Sequence, residues 1–459
     1  MRISENRVMS SRRRLIAAAC VGNLLEWYDF AVYALFARYI AASIFHSSDS
    51  FSQLAQSLLV FGLGAVVRPL GAILIGRFAD RNGRGAALTF TCLLMGAGTL
   101  MIVFNPPYET GGRLSIVIIC VARMLQGLSA GGEIGGAAAF LTEQATFGAR
   151  SVTASFLQAT MGLSNILGAT VATLATLCLD QTQMTAWGWR LPFIVGLLIV
   201  PMGLILRRSP DFAGSARTPQ QSETPVLKTL LRQYRLSLSV SFGVSILWTA
   251  APYALVIYLP LYMQTAFGIS SHVSYTAYLA ANVVLVLTSL LSGKLADQYG
   301  ARLVLLAGML MVLLAPTPLL LLAGAFTDPP VIMLVMMGLF GAVGLFAGAA
   351  PEGLASLFPS EVRATGIAAP YNVAAALFGG FAPMFLTEMG SHWHGIPSPA
   401  LYILLAAVPA ALALGSPLWR QGTTSPQQAG AMGHAVKSIT PASPDDGTVI
   451  AESLKGERL

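Results

Sequence analysis

The chain has 459 residues, 55% of them hydrophobic and only 10% charged, with a mean hydropathy of +0.68. A soluble domain carries about 25% charged residues, so these figures exclude a soluble enzyme or regulator and describe a protein that crosses a membrane many times. The net charge of +7 would suit nucleic acid, but the cations flank apolar segments, where they orient the chain and meet anionic headgroups, so no nucleic-acid partner is expected.

Arg12-Arg13-Arg14 followed by an apolar run imitates a secretory signal. The run is too long for one, contains Asn23, Glu26 and Asp29, and has no convincing cleavage site, so the arginines read as a cytoplasmic anchor. Twelve apolar segments follow: Leu15–Ile40, Leu54–Ile75, Ala86–Phe104, Leu114–Phe140, Val152–Leu179, Trp189–Leu206, Leu236–Met263, Val273–Leu295, Leu303–Ala325, Val331–Leu354, Gly366–Leu386 and Ala400–Trp419. A membrane helix needs about 20 such residues. With the N-terminus inside, Lys and Arg fill the inner loops and tails, as at Arg77, Arg81 and Arg84, while the outer loops hold only Arg113. By the positive-inside rule both termini are then cytoplasmic.

An internal echo divides the chain. Gly76-Arg-Phe-Ala-Asp80-Arg-Asn-Gly83-Arg84 joins the second and third segments, and Gly293-Lys-Leu-Ala-Asp297-Gln-Tyr-Gly300-Ala-Arg302 joins the eighth and ninth. The expected organisation is a tail at 1–14, a six-helix bundle at 15–207, a polar, proline-bearing linker at 208–235, a second bundle at 236–419 and a disordered tail at 420–459. Two parallel halves around a midplane site form a transporter architecture.

Charges inside the spans are the chemical signal, because each costs at least about 2.5 kcal/mol at the bilayer centre. Gly22, Glu26, Asp29 and Tyr33 recur at helical spacing and share a face. Asp29 lies about 21 Å along its segment at about 1.5 Å per residue, and Arg123, on an antiparallel segment, reaches a similar depth. Alternation between an Arg-paired and an isolated environment would let Asp29 or Glu26 carry a proton. The plainer reading is a permanent Asp29–Arg123 ion pair. Arg123 could instead bind an anion through its planar fork; Arg68 is the second candidate, with a structural cation the plainer reading. Arg190 reads as structural or snorkelling. Glu133, near the inner end of the fourth segment, reads as a gate residue facing Asp80, Arg84 or Arg150. Asp80 and Asp297 are expected to cap the helices that follow them, and Glu352 to gate or to face cytoplasmic water.

The second half has no cation inside its spans. Its polar candidates are Trp248, Tyr253, Tyr258, Tyr262, Asn282, Tyr371 and Asn372, matched in the first half by Asn23, Gln126, Gln158 and Asn165; an aromatic belt or packing is the plainer reading for each aromatic. His392 and His394 make a poor metal site, and the four cysteines fit no metal spacing. No phosphate-binding loop or nucleophile–base motif is present, which leaves no sign of ATP-driven transport, a metal, a cofactor or an enzyme.

The loop at Gly76–Arg84 resembles the signature loop of the major facilitator superfamily. Four stretches resemble its metabolite:proton symporter family: Gly22-Asn-Leu-Leu-Glu-Trp-Tyr-Asp-Phe30, Arg123-Met-Leu-Gln-Gly-Leu-Ser-Ala-Gly-Gly-Glu133, Trp187-Gly-Trp-Arg-Leu-Pro-Phe193 and Phe378-Gly-Gly-Phe-Ala-Pro383. The sequence departs from that pattern at Gly85, Ala301 and Ser356. The resemblance implies an all-α membrane protein of twelve transmembrane helices in two six-helix halves. It also implies a monomeric, proton-coupled symporter of the bacterial inner membrane that imports a small organic acid anion, such as citrate or α-ketoglutarate, by alternating access. Proton coupling is then expected at Glu26, Asp29 and Arg123, and substrate binding at Asn23, Tyr33, Arg68, Arg123, Gln126, Gln158, Tyr258 and Asn372. Gating is expected at Asp80, Arg84, Glu133, Arg150, Asp297, Arg302 and Arg363. Uptake of shikimate or of proline and betaine fits the same pattern; a coiled-coil tail, which the osmosensing member carries, is missing here. A non-transporting receptor or sensor would need more signalling chain than the short tail provides.

Overall fold

The computed structural model describes residues 2–46, 49–82, 84–146, 148–207, 226–392 and 395–421. The side chains of Asp80 and Arg84, both expected in a gate, lie outside the description, as does nearly all of the tail expected at 420–459. Among the described residues there is no strand, and twelve helical units follow one another. They are α1 (Arg2–Leu35), α2 (Ser50–Phe78), α3 (Arg84–Val103), α4 (Arg113–Glu143), α5 (Arg150–Cys178) and α6 (Leu191–Arg207). The second half holds α7 (Arg235–Ile257), α8 (Ser271–Tyr299), α9 (Ala301–Ala325), α10 (Pro329–Ala355), α11 (Ser360–Gly390) and α12 (Ser398–Gly415). Among the described residues nine of these helices are long and apolar enough to cross a membrane, α3 adds a shorter apolar run at Thr89–Val103, and α1 and α6 take the first and sixth positions.

Two boundaries differ from the sequence reading. The chain is helical from Arg2 rather than from Leu15, and the end of the expected linker forms a helix of its own, Val226–Gln233. The twelve helices form one compact unit up to Ser416. Of the unit that begins at Pro417, the helix Leu418–Gln421 is described.

Local chemistry sets where helices begin. Asp49 caps α2 by accepting from the Phe51 and Ser52 backbone N–H groups at 3.2 and 3.0 Å. The Ser52 and then the Phe51 N–H hold the Asp49 carboxyl below the usual carboxylate range. The Ser270 hydroxyl accepts from Val273 N–H at the start of α8, and Gly300, at φ 88°, turns the chain out of its end.

Small residues decide which helices touch, as in membranes generally, where close backbone approach replaces the hydrophobic effect as the driving force. Gly127 and Gly131 of α4 lie on α2: an added Cβ would fall 1.9 Å from the Gly64 and Arg68 carbonyl oxygens respectively. An added Cβ at Gly71 of α2 would fall 2.2 Å from the Leu128 carbonyl oxygen. The same spacing recurs on α10, where Gly344 and Gly348 lie against Thr288 and Ser289 of α8.

Two seams join the halves. In one, α5 packs along α8, with Gly293 against Ser151 and Val152, and Asn165 Nδ2 donating to Asn282 Oδ1 at 3.0 Å. In the other, α2 packs on α11, with Gly380 against Ala65 and Gly62 against Phe381. The end of α7, at Tyr253–Ile257, and the middle of α11, at Ala375–Gly379, are single π-helical turns that follow Pro252 and Pro370. Such turns are frequent at functional sites. The ring of Tyr253, in the first, lies against Gly379, in the second.

Candidate functional site

The close α2–α4 crossing directs two guanidinium groups into the interior opposite α1. Arg68 and Arg123 are both 0% exposed, and Glu26 and Asp29 are nearly as deeply buried. Arg68 Nη2 pairs with Glu26 Oε1 at 3.1 Å. The ring of Phe30 lies beside both cations, its centroid 4.5 Å from the Arg68 Cζ and 4.6 Å from the Arg123 Cζ. Tyr33 and Phe61 also face Arg123, at 4.6 and 5.0 Å. Aromatic faces attract a cation by about 0.5–2 kcal/mol each, more when desolvated. They are therefore part of what holds two like charges in one interior.

Asp29 does not pair with Arg123 as the sequence reading expected. Gln126, one turn beyond Arg123 on α4, stands between them. It accepts from Arg123 Nη1 at 2.6 Å and donates to Asp29 Oδ2 at 3.0 Å. Thr99, from α3, donates to the same Asp29 oxygen and receives a bond from Gln126 Nε2 at 3.0 Å. The cluster thus holds a direct pair, Glu26–Arg68, and a relayed one, Asp29–Gln126–Arg123. Beyond the Glu26 pair on Arg68 Nη2, several donors remain without a hydrogen-bond partner among the described residues: Nε and Nη1 of Arg68, and Nε and Nη2 of Arg123. Tyr253 and Tyr371 of the second half face Arg68, and the buried Tyr253 hydroxyl is likewise unbonded. Guanidinium donors held in a low-dielectric interior are suited to a carboxylate, which matches their fork with two parallel hydrogen bonds.

A small cavity adjoins the cluster. Trp27, Ile134, Leu157, Gln158, Met161, Trp248, Pro252 and Tyr371 line it, so both halves contribute. Trp248 and Tyr371 meet edge-on with centroids 4.8 Å apart, and Trp27 is within 6.0 Å of Arg68. Its volume of about 10 Å3 is room for about one water.

The remaining candidates divide by what they touch. Gln158 lines the cavity. Asn23 ties α1 to α5 by donating to Leu157 O and Thr160 Oγ1, both at 2.7 Å. Tyr33 ties α1 to α2 through Ser57 O at 3.2 Å, and Tyr258 receives a bond from Thr387 of α11 at 3.0 Å. Asn372 reaches across the halves to the Gly131 carbonyl at 2.8 Å. Arg190 donates to the Asn105 and Ala186 carbonyls at 2.8 Å each.

On the side of the signature loops the halves are held by charge. Asp297 does not cap the helix that follows it; its two oxygens accept from the Ser151 and Val152 N–H groups, 2.8 and 3.0 Å away at the start of α5. A carboxylate there satisfies two orphan donors and the positive end of the helix dipole. Arg363 pairs with Glu143 at 3.1 Å, a partner the sequence reading missed. Arg302 donates to the Leu414 carbonyl at 3.1 Å. Arg150 and Arg363 both face Glu352. Glu133, expected in this gate, is buried and also lies within electrostatic reach of Glu26. On the opposite side Tyr275 of α8 donates to the Leu35 carbonyl of α1 at 2.6 Å, and its ring stacks on Phe36. The halves therefore touch on both sides of the cavity.

The sequence model of the Major Facilitator Superfamily matches residues 19–383. The chain belongs to the major facilitator superfamily. Relatives agree with the narrower resemblance of its motifs. The chain is 32% identical over 394 residues to the citrate-proton symporter of Klebsiella pneumoniae, covering 85% of this chain and 88% of that protein. It is 32% identical over 374 residues to the alpha-ketoglutarate permease of Escherichia coli strain K12, covering 81% and 86%. With a putative proline/betaine transporter of Staphylococcus haemolyticus it shares 30% over 404 residues, covering 86% and 85%. Among solved structures it is similar to the xylose transporter XylE from E. coli in a partially occluded inward open conformation, with a TM-score of 0.66 and 18% identity over 88% of this chain and 96% of that one. A likeness at that identity speaks to the fold alone. The protein is a multi-pass member of a family of membrane transporters.

Phe30 and Thr99 adjoin the buried charges and Glu143 pairs with Arg363, but none of the three is among the residues singled out from sequence. Phe30 falls within the motif Gly22–Phe30, where nothing in the sequence gives it a role. Thr99 carries no sequence signal, since a threonine in an apolar helix commonly bonds the carbonyl one turn back, and this one also does so, to Met95 O at 3.0 Å.

Proposed function

We propose that this protein is a proton-coupled symporter that imports a small organic acid anion, of the di- or tricarboxylate class to which citrate and α-ketoglutarate belong. The observation that carries this reading is the pair of fully buried guanidinium groups whose donors are largely unbonded, set beside two carboxylates. Arg68 and Arg123 take the substrate carboxylates, and Gln158, Trp27, Trp248 and Tyr371 surround the rest of the molecule. Glu26 and Asp29 take up protons from the outer side and release them inside, each returning to its guanidinium partner when the substrate has left. In this reading the protein is a monomer of the bacterial inner membrane with both termini cytoplasmic, and the signature-loop contacts of Asp297, Arg363 and Glu143 form the cytoplasmic gate. The halves rock about the cavity, exposing it to one side at a time.

The relatives named for citrate and α-ketoglutarate support the substrate class. A second reading rests on the aromatic cavity lining: Trp27, Trp248 and Tyr371 would suit the quaternary ammonium of a betaine through cation–π attraction. The organic acid is preferred because a zwitterion leaves one of the two buried cations without an anion. Thermal unfolding of the purified protein separates the two. A ligand of the folded state raises the midpoint by mass action. Citrate or α-ketoglutarate is expected to raise it in the wild type and not in Arg123→Gln; a rise with proline or betaine alone would contradict the proposal.

A further inference from the structure

We propose that Thr99 is a positioning residue that sets how readily Asp29 exchanges its proton, through a hydroxyl that can turn between two acceptors. This rests on Asp29 being a proton carrier. The Thr99 hydroxyl has one hydrogen, and two acceptors lie within its reach: Asp29 Oδ2 on α1, and the Met95 carbonyl one turn back on α3 at 3.0 Å. Gln126 Nε2 approaches both Thr99 Oγ1 and Asp29 Oδ2 at 3.0 Å, and its own carbonyl is held by Arg123. These contacts form a two-state arrangement. When Asp29 is ionised, Thr99 and Gln126 both donate to Oδ2. When Oδ2 carries the proton arriving from water, that oxygen must donate, and Thr99 Oγ1 becomes its acceptor as the Thr99 hydrogen swings to Met95 O. Thr99 keeps its own hydrogen throughout, and the transported proton stays on Asp29.

No other described group offers Asp29 this choice. From α4 it meets Gln126 and, beyond it, the fixed cation Arg123. From α6 the Gly196 position lies against Oδ1, and on α1 itself Tyr28 adjoins it but donates its hydroxyl to Pro192 O at 2.7 Å. α5, which packs along α1, has no titratable residue between its ends, Arg150 and Cys178. Glu26, one turn away, is paired with Arg68, which Tyr253 and Tyr371 face. The other Asp29 oxygen, Oδ1, has no hydrogen-bond partner among the described residues, so Oδ2 and its two donors carry the balance between ionised and protonated forms. A bond to a charged acceptor is roughly twice as strong as one between neutral groups, so Thr99 favours the ionised form and eases release of the proton.

Infrared difference spectroscopy of the full-length protein in lipid nanodiscs, titrated with pH, tests this without a substrate. The carboxyl band lost in Asp29→Asn reports Asp29. In Thr99→Val, which keeps the shape and removes the hydroxyl, its midpoint is expected to rise by about one pH unit. In Thr99→Ser it is expected to stay at the wild-type value, a rescue that a packing role would not produce. Thr99→Ala serves in the same way if the valine variant does not assemble. An unmoved midpoint in a folded Thr99→Val or Thr99→Ala protein, or an equal rise in Thr99→Ser, would overturn this inference and leave the proton-carrier reading standing. A wild-type protein in which the Asp29 band never titrates would overturn the proton-carrier reading, and this inference with it.

Discussion

Phe30 is the residue on which both cations of the site converge, and its setting shows how the interior tolerates them. Arg68 and Arg123 are matched in charge by Glu26 and Asp29, and aromatic faces take up what the carboxylates leave. Breaking a buried pair by removing one partner costs about 3–5 kcal/mol, because the survivor is left uncompensated. Arg68→Leu is therefore expected to lower stability by about that much in denaturant unfolding of the purified protein. The double variant Glu26→Gln/Arg68→Leu is expected to recover part of the loss, since the two residues share one interaction. Losses that simply add would mean that Glu26 and Arg68 are not coupled. The four charged residues were legible in sequence because a charge stands out in an apolar run. Gln126 was legible as a candidate but not as a relay, because the bond it makes across to α1 depends on the helix crossing. Phe30 and Thr99 differ from ordinary core side chains only through neighbours that lie far away in the chain.

The α2–α4 crossing is the element on which the geometry of the site depends. Gly127→Ala places a Cβ 1.9 Å from the Gly64 carbonyl oxygen, and backbone must move to relieve it. Overpacking of this kind costs about 1–3 kcal/mol. The variant is expected to unfold earlier and to lose the thermal response to the organic acid, because Arg123 shifts relative to Arg68. Gly136→Ala, on the same helix but with open space at its Cβ position, is the control and is expected to leave both unchanged. Equal behaviour of the two variants would contradict the role given to the crossing. Hydrophobic runs located the helices in sequence; they carry no signal for the polar turns from Arg2 by which α1 precedes its apolar run, because a helix can extend on polar residues. The π-helical turns at Tyr253–Ile257 and Ala375–Gly379 were not legible either, since they arise from packing around Pro252 and Pro370.

For the whole molecule, the question is what keeps the halves together on each side. Asp297 stands out in sequence through the repeated loop, but its partner does not: the carboxylate caps α5 of the other half rather than the helix it precedes. Removing a helix cap costs about 1 kcal/mol, roughly a five-fold change in a two-state population. Asp297→Ala is accordingly expected to open the signature-loop side more often. A cysteine placed at Ala368 of α11, which lies against Gly135 of α4 in the other half, should then be alkylated about five-fold faster in a background without the four native cysteines. An unchanged rate would mean that the Asp297 contact does not hold the gate. The central claim, that a proton gradient drives an organic acid inward past two buried guanidinium groups, is tested most directly in proteoliposomes. Labelled citrate and α-ketoglutarate are presented under an inwardly directed proton gradient, with and without an uncoupler. Uphill accumulation of at least one of them is expected, lost on uncoupling and absent in Arg123→Gln. Accumulation that persists after the proton gradient collapses, or uptake confined to proline or betaine, would contradict it.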